Sequence, residues 1–137
     1  MRSYSSNLLA FAGLLFIGMG LFFIFIRPPI LPEDLVYMES SISNIAENLP
    51  GLTNWLHKVF WVMGGYIITS GLLTVFIAFT SFRKRIKGAF VIVALTGICS
   101  IGLMTVVNFI INSDFKWLLF TFTILWATAL ILYKFEK

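Results

Sequence analysis

Four long stretches of this chain contain no Asp, Glu, Lys, Arg or His: Leu8 to Ile26, Val59 to Phe82, Gly88 to Ile111 and Trp117 to Tyr133. A helix needs about 20 mostly apolar residues, within a range of about 17–25, to cross a bilayer. All four stretches meet that length. They are continuous apolar runs, without the alternation of barrel strands, so helices are the expected spanning elements. The first run is longer than the apolar core of a secretory leader, about 7–15 residues, and ends in Arg27-Pro28-Pro29 instead of small residues. It is expected to remain as a membrane helix.

Composition agrees. Charged residues make up 12% of the 137, against about 25% in a soluble domain. So few charges cannot cover a water-facing globule, but they suffice if most of the surface meets lipid. The basic residues are also segregated. Arg2, Arg83, Lys84, Arg85, Lys87, Lys134 and Lys137 fall on one side of the alternating topology, and Arg27, Lys58 and Lys116 on the other. That bias predicts both termini in the cytoplasm, here of a bacterial inner membrane. The 83–87 cluster lies between two apolar runs, so it reads as a topology signal and not as a nucleic-acid site. Trp55, Trp61, Trp117 and Tyr133 are placed to anchor at the membrane interfaces.

The first outer loop, 27–58, is the one sizeable element outside the spans. Pro32 suits a first helical turn, and Glu33 and Asp34 complement a helix N-terminus. Leu35, Met38, Ile42, Ile45 and Leu49 recur at spacings of three and four, and Pro50-Gly51 ends the pattern. These signals predict one amphipathic helix over about 32–49. Its acidic polar face argues for packing on the outer mouth of the spans and against lying on a lipid surface.

Small residues mark packing faces. Gly64, Gly71 and Ala78 recur every seven residues in the second span, with Thr74 beside them. Such a stripe lets a neighbouring helix approach closely. Gly13, Gly18 and Gly20 form a looser small face on the first span. Ala94, Gly97, Thr105 and Asn108 share one face of the third. Asn108 is expected to make an interhelical hydrogen bond, with lining of a cavity as the alternative. Cys99, the single cysteine, is expected to be a small packing residue.

Recognisable chemistry is sparse. His57 is the sole histidine, so one chain cannot supply two axial histidines to a haem, and no His/Cys/carboxylate group has metal-ligand spacing. There is no glycine-rich phosphate loop, nucleophile elbow or Cys-x-x-Cys pair. No ionisable group of the kind used in proton relays falls within a span. The remaining candidate is a polar site at the outer mouth, drawn from Arg27, Glu33, Asp34, His57 and Asn108, with Glu39, Glu47, Lys58, Asn112 and Asp114 nearby. A histidine among carboxylates suits acid–base chemistry or weak cation binding, whereas solvated loop polarity is the plainer expectation. Arg27 is expected to snorkel to the interface, its prolines ending the first helix.

The layout resembles the DoxX-like group of small bacterial membrane proteins. The resemblance is carried by the first span from Gly13 to Gly20, by Val62-Met63-Gly64-Gly65 and Ser70-Gly71-Leu72-Leu73 in the second, by the basic turn at 83–87 and by two further spans. It implies a four-helix membrane protein, and for some members association with membrane redox complexes. It assigns no functional residue here.

The sequence thus predicts a single domain over 1–137: an all-α, integral membrane four-helix bundle with an amphipathic helix in its first outer loop. It ranks a non-catalytic accessory or interaction subunit first, with lipid, other membrane subunits or a second copy as partners, and with no nucleic acid, cofactor or metal. A lipid or small-molecule carrier with an outward-facing cavity, and a quinone-linked redox subunit, are the alternatives. A deep pocket near Asn108 distinguishes the carrier; a carboxylate beside His57 in such a pocket distinguishes the redox or enzymatic reading.

Overall fold

A computed structural model describes residues 3–136. The described residues form helices and turns, in the order α1 (Tyr4–Phe25), α2 (Pro32–Tyr37), α3 (Ile42–Asn48), α4 (Leu52–Ile77), a π-turn (Ala78–Phe82), α5 (Ala89–Gly97), a second π-turn (Ile98–Gly102), α6 (Leu103–Ile110) and α7 (Lys116–Phe135). Four helical rods are long and apolar enough to cross a membrane: Tyr4–Phe25, Leu52–Phe82, Ala89–Ile110 and Lys116–Phe135. Large apolar side chains such as Phe25, Tyr66, Phe76, Ile98, Ile110 and Trp117 stand more than half exposed around them. A surface of this kind suits hydrocarbon and not water. Arg2 and Lys137, counted in the charge bias, lie outside the described residues.

Local chemistry fixes the helix ends. Ser3 caps α1, its hydroxyl accepting from the Ser6 N–H. Pro28 and Pro29 stop the same helix, because proline supplies no N–H and restricts the residue before it. The second rod has 31 residues, about 46 Å at 1.5 Å per residue, which exceeds a hydrocarbon core of about 30 Å. Its first turns, with Trp55, His57 and Lys58, therefore extend beyond the apolar part. At the other end the chain turns through Arg85 and Gly88, both at positive φ (52° and 90°), to begin α5.

The rods do not share one central axis equally. α1 and α7 are the paired centre; α4 and the Ala78–Phe82 π-turn lie on one flank against α1, and the α5–α6 rod lies on the other against α7. The α1–α4 seam is built on glycine. Cβ atoms placed on Gly71 and Gly64 would fall 2.7 Å from the carbonyl oxygens of Gly13 and Gly20 respectively. Ala78, fully buried, lies where the π-turn meets α1. Gly18 behaves differently: nothing lies within 4 Å of a Cβ added there. On the other seam Gly97 receives the Trp126 indole, whose Nε1 donates to the Val93 carbonyl at 3.0 Å. Phe16 packs on the same indole at 5.5 Å between ring centres. A second interhelical polar contact of the third rod joins the Thr105 and Thr123 hydroxyls, 2.8 Å apart. Asn108 does not take that part; its amide donates to the Met104 carbonyl of its own helix.

The 27–58 loop departs from the expected single helix. α2 ends at Tyr37 and α3 begins at Ile42, with Glu39 between them at φ 51°. Ser41 accepts from the Asn44 N–H and so caps a new helix where the apolar periodicity suggests continuation. The stripe is broken as well. Ile45 is buried and Leu35 partly buried, but Met38, Ile42 and Leu49 are exposed. Two short helices with a bend form a strap, which local hydrogen bonds of Ser41 and Asn44 favour over one straight rod.

The ends of the described chain, Ser3 and Glu136, lie together at one end of the rods. The Glu136 carboxylate accepts from the Ser5 N–H (2.9 Å) and the Ser5 hydroxyl (2.5 Å), with the Ser3 hydroxyl at 3.3 Å. Arg85 donates to the Glu136 carbonyl and its guanidinium lies 4.7 Å from the centre of the Tyr133 ring. A carboxylate at the positive end of α1 satisfies N–H groups that the helix itself leaves free.

Candidate functional site

The tight packing is concentrated toward the terminal end, around Leu9, Phe16, Phe82, Val93 and Trp126. Toward the strap, α1 and α4 remain in close contact at Gly20 and Gly64, and α4 and the α5–α6 rod still lie on opposite flanks of the central pair. The space between them is a cavity of about 840 Å³. This lies within the range of about 300–1,000 Å³ usual for ligand pockets. Leu15, Met19 and Phe22 of α1, Phe60, Met63 and Ile67 of α4, Leu103, Met104 and Val107 of α6, and Leu119 and Phe122 of α7 make its walls apolar. Gly18 adds room because it has no side chain. A shallower groove of about 370 Å³ shares Met63, Ile67, Ser100 and Met104 with the cavity and continues between α4 and the third rod past Val62 and Tyr66. The cavity is thus reached from the side, between two candidate spans.

The cavity's charged groups are confined to its strap end, where Arg27 and Asp34 line it with Asn108 and Ser113; Cys99 and Ser100, whose hydroxyl donates to the Thr96 carbonyl, line it farther along. Arg27 is held on several sides. It pairs with Asp34 at 3.4 Å, donates to the Pro28 carbonyl at 2.8 Å, and lies over the Phe60 ring at 3.6 Å. The side chains of Arg27 and Asp34 keep 11% and 23% of their exposure. Burial pushes the guanidinium's pKa down, opposed by the charge and hydrogen bond of Asp34 and by the charge of Glu33. Arginine remains protonated in such a setting. Asp34 also accepts from the Leu31 N–H at 2.9 Å, which starts α2. Ser113, nearly fully buried, donates to Glu33 Oε1 at 3.0 Å and joins the strap to the turn before α7.

Of the residues the sequence points to, Arg27, Asp34 and Asn108 meet at this cavity, and Glu33 supports it through Ser113. Arg27 does not snorkel freely, because the strap folds back and supplies its partner. His57 stands apart, exposed and edge-on to Trp61 at 5.2 Å, and Arg27–Asp34 is the one ion pair among the described residues. No group of His, Cys and carboxylates suited to a metal occurs among the described residues. Cys99 and Ser100 of the second π-turn line the cavity, and Cys99 is exposed where close packing is expected. The π-turn reorients part of one helical turn, a device frequent at functional sites. Neither it nor Ser113 carries a sequence signal beyond an ordinary apolar or loop residue.

No family model, curated protein or solved structure matches the chain. The likeness to DoxX-like proteins rests on the short motifs alone.

Proposed function

We propose that this protein binds a membrane-derived amphipath, a lipid, with its apolar body in the side-opening cavity and its head at Arg27, Asp34 and Asn108. One observation carries the reading: a largely apolar space of about 840 Å³ carries its charged groups at one end only. That distribution matches a molecule with one apolar and one polar end. The opening between α4 and the third rod faces the same apolar solvent as the outer surface, so a lipid reaches the cavity without crossing water. The sequence alone ranks an accessory subunit first. The cavity reverses that order, since a protein serving only to pack against a neighbour needs no such space. We place the protein in a bacterial inner membrane with both termini cytoplasmic, on the segregation of basic residues, so the strap lies on the outer side. Reporter fusions at residues 45 and 136 test that placement, and export of the latter rejects it.

Binding is tested by extracting the purified protein and identifying its lipids by mass spectrometry. Gly18→Phe fills the cavity at a position where an added Cβ meets nothing within 4 Å, so folding should be retained. The expected result is bound lipid on the parent and its loss from a folded Gly18→Phe variant. Equal lipid on both rejects the cavity as the site.

A further inference from the structure

The polar end of the cavity is not a general anchor for any head group. Three charged side chains meet there: Arg27, its partner Asp34 at 3.4 Å, and Glu33, already engaged by Ser113 at 3.0 Å. The count is one cation and two anions. Asn108 adds an acceptor oxygen beside one remaining N–H, its other N–H being used on the Met104 carbonyl.

We infer that the cavity selects a zwitterionic phospholipid bearing a primary ammonium, its phosphate taking Arg27 and its ammonium taking Asp34 and the Asn108 oxygen. This rests on the lipid-binding reading above. The argument is one of charge exchange in a partly dry site. An anionic head approaching Arg27 alone draws the guanidinium from Asp34 and leaves that carboxylate unpaired beside Glu33. A lone buried charge is costly, and removing one member of a desolvated pair costs more than the pair gains. A cationic head on Asp34 alone strands Arg27 in the same way. A zwitterion replaces one ion pair by two, so every charge keeps a partner. A primary ammonium offers three N–H donors to a site with surplus acceptors, whereas a quaternary one offers none. The Phe60 ring beneath Arg27 holds the guanidinium in place for the exchange.

The test uses the full chain, delipidated in detergent and titrated with phosphatidylethanolamine or phosphatidylglycerol while bound lipid is counted by native mass spectrometry. The parent should prefer phosphatidylethanolamine by about tenfold or more, the scale expected when like charges are brought together. Asp34→Asn keeps an oxygen to accept from Leu31 but removes the charge, and should reverse the preference. Arg27→Gln should weaken both lipids. A parent that prefers phosphatidylglycerol, or an Asp34→Asn variant with an unchanged ratio, overturns the head-group assignment while leaving lipid binding intact. Binding of neither lipid to a folded, delipidated parent overturns the cavity reading and this inference with it.

Discussion

The Ser113 hydroxyl donates to Glu33 Oε1 at 3.0 Å across 80 positions of sequence, and it is the tie between the strap and the turn that precedes α7. Because the acceptor is a carboxylate, such a bond contributes about 1.5 kcal/mol or somewhat more. Ser113→Ala removes it with little change in volume. Amides of α2 should then exchange with deuterium about tenfold faster, given that about 1.4 kcal/mol is a factor of ten. Exchange within α1 and α7 should not change. Uniform exchange everywhere would show that the strap is held by other contacts.

The glycines of α1 give a sharper contrast. At Gly20 an added Cβ falls 2.6 Å from the Gly64 carbonyl oxygen, whereas at Gly18 it meets nothing within 4 Å. Overpacking of a close seam costs about 1–3 kcal/mol. Gly20→Ala should therefore lower the melting temperature in detergent, as should Gly71→Ala, while Gly18→Ala leaves it unchanged or raises it slightly. Equal responses at Gly18 and Gly20 would mean that α1 and α4 do not meet along this face.

Much of this arrangement is legible in the sequence because it is local or periodic. Uncharged runs mark the four rods, and the seven-residue spacing of Gly64, Gly71 and Ala78 marks a seam. Spacing does not say which small residues on α1 receive that seam. Gly18 and Gly20 look alike in sequence and have opposite surroundings. The strap misleads for a related reason: the apolar stripe has helical period, but Ser41 competes for the backbone and ends the run. The cavity is the least legible feature. It is lined from four separate rods at once, and its polar end joins Arg27 and Asp34 to Asn108, residues far apart in the chain. Hydropathy registers Asn108 only as a polar residue in an apolar run.

Glu136 provides a pH-dependent contribution. Burial raises its pKa, but hydrogen bonds from the Ser5 hydroxyl and N–H, the Ser3 hydroxyl and the Tyr4 N–H outweigh this and hold it below its ordinary value of 4.5. A carboxylate with a depressed folded-state pKa stabilises the fold above its unfolded value, and that stabilisation is lost as the pH falls through the folded value. Glu136→Gln should thus melt below the parent at neutral pH. The gap should hold down to about pH 5 and shrink as the pH falls below about 4. A gap that persists unchanged at low pH would assign the effect to side-chain packing and not to the carboxylate charge.

His57, one of the five candidates for the outer-mouth polar site, does not line the cavity. It is exposed on the projecting part of α4 and touches Trp61 edge-on. Surface changes away from packed or paired groups usually stay within about 0.5 kcal/mol. His57→Ala should leave both stability and lipid occupancy at the parental level, as read by melting temperature and native mass spectrometry. Loss of lipid from a folded His57→Ala variant would move the polar site toward α4 and away from Arg27.

Cys99 offers a report on the cavity itself. It is the single cysteine of the chain, it is exposed, and it lines the cavity beside Ser100 in the second π-turn. A neutral, membrane-permeant maleimide modifies one position only, so the extent of labelling reads access to that wall. A lipid occupying the cavity covers Leu103, Met104 and the π-turn together and excludes the reagent. Labelling should therefore be fast on delipidated protein and severalfold slower once phosphatidylethanolamine is restored. Protein labelled first should take up less lipid, because the added group occupies volume that the acyl chains need. Slow labelling before and after delipidation would place Cys99 in close packing, as expected from sequence. Fast labelling that lipid does not slow would place the thiol on the outer surface and remove that stretch of wall from the binding site.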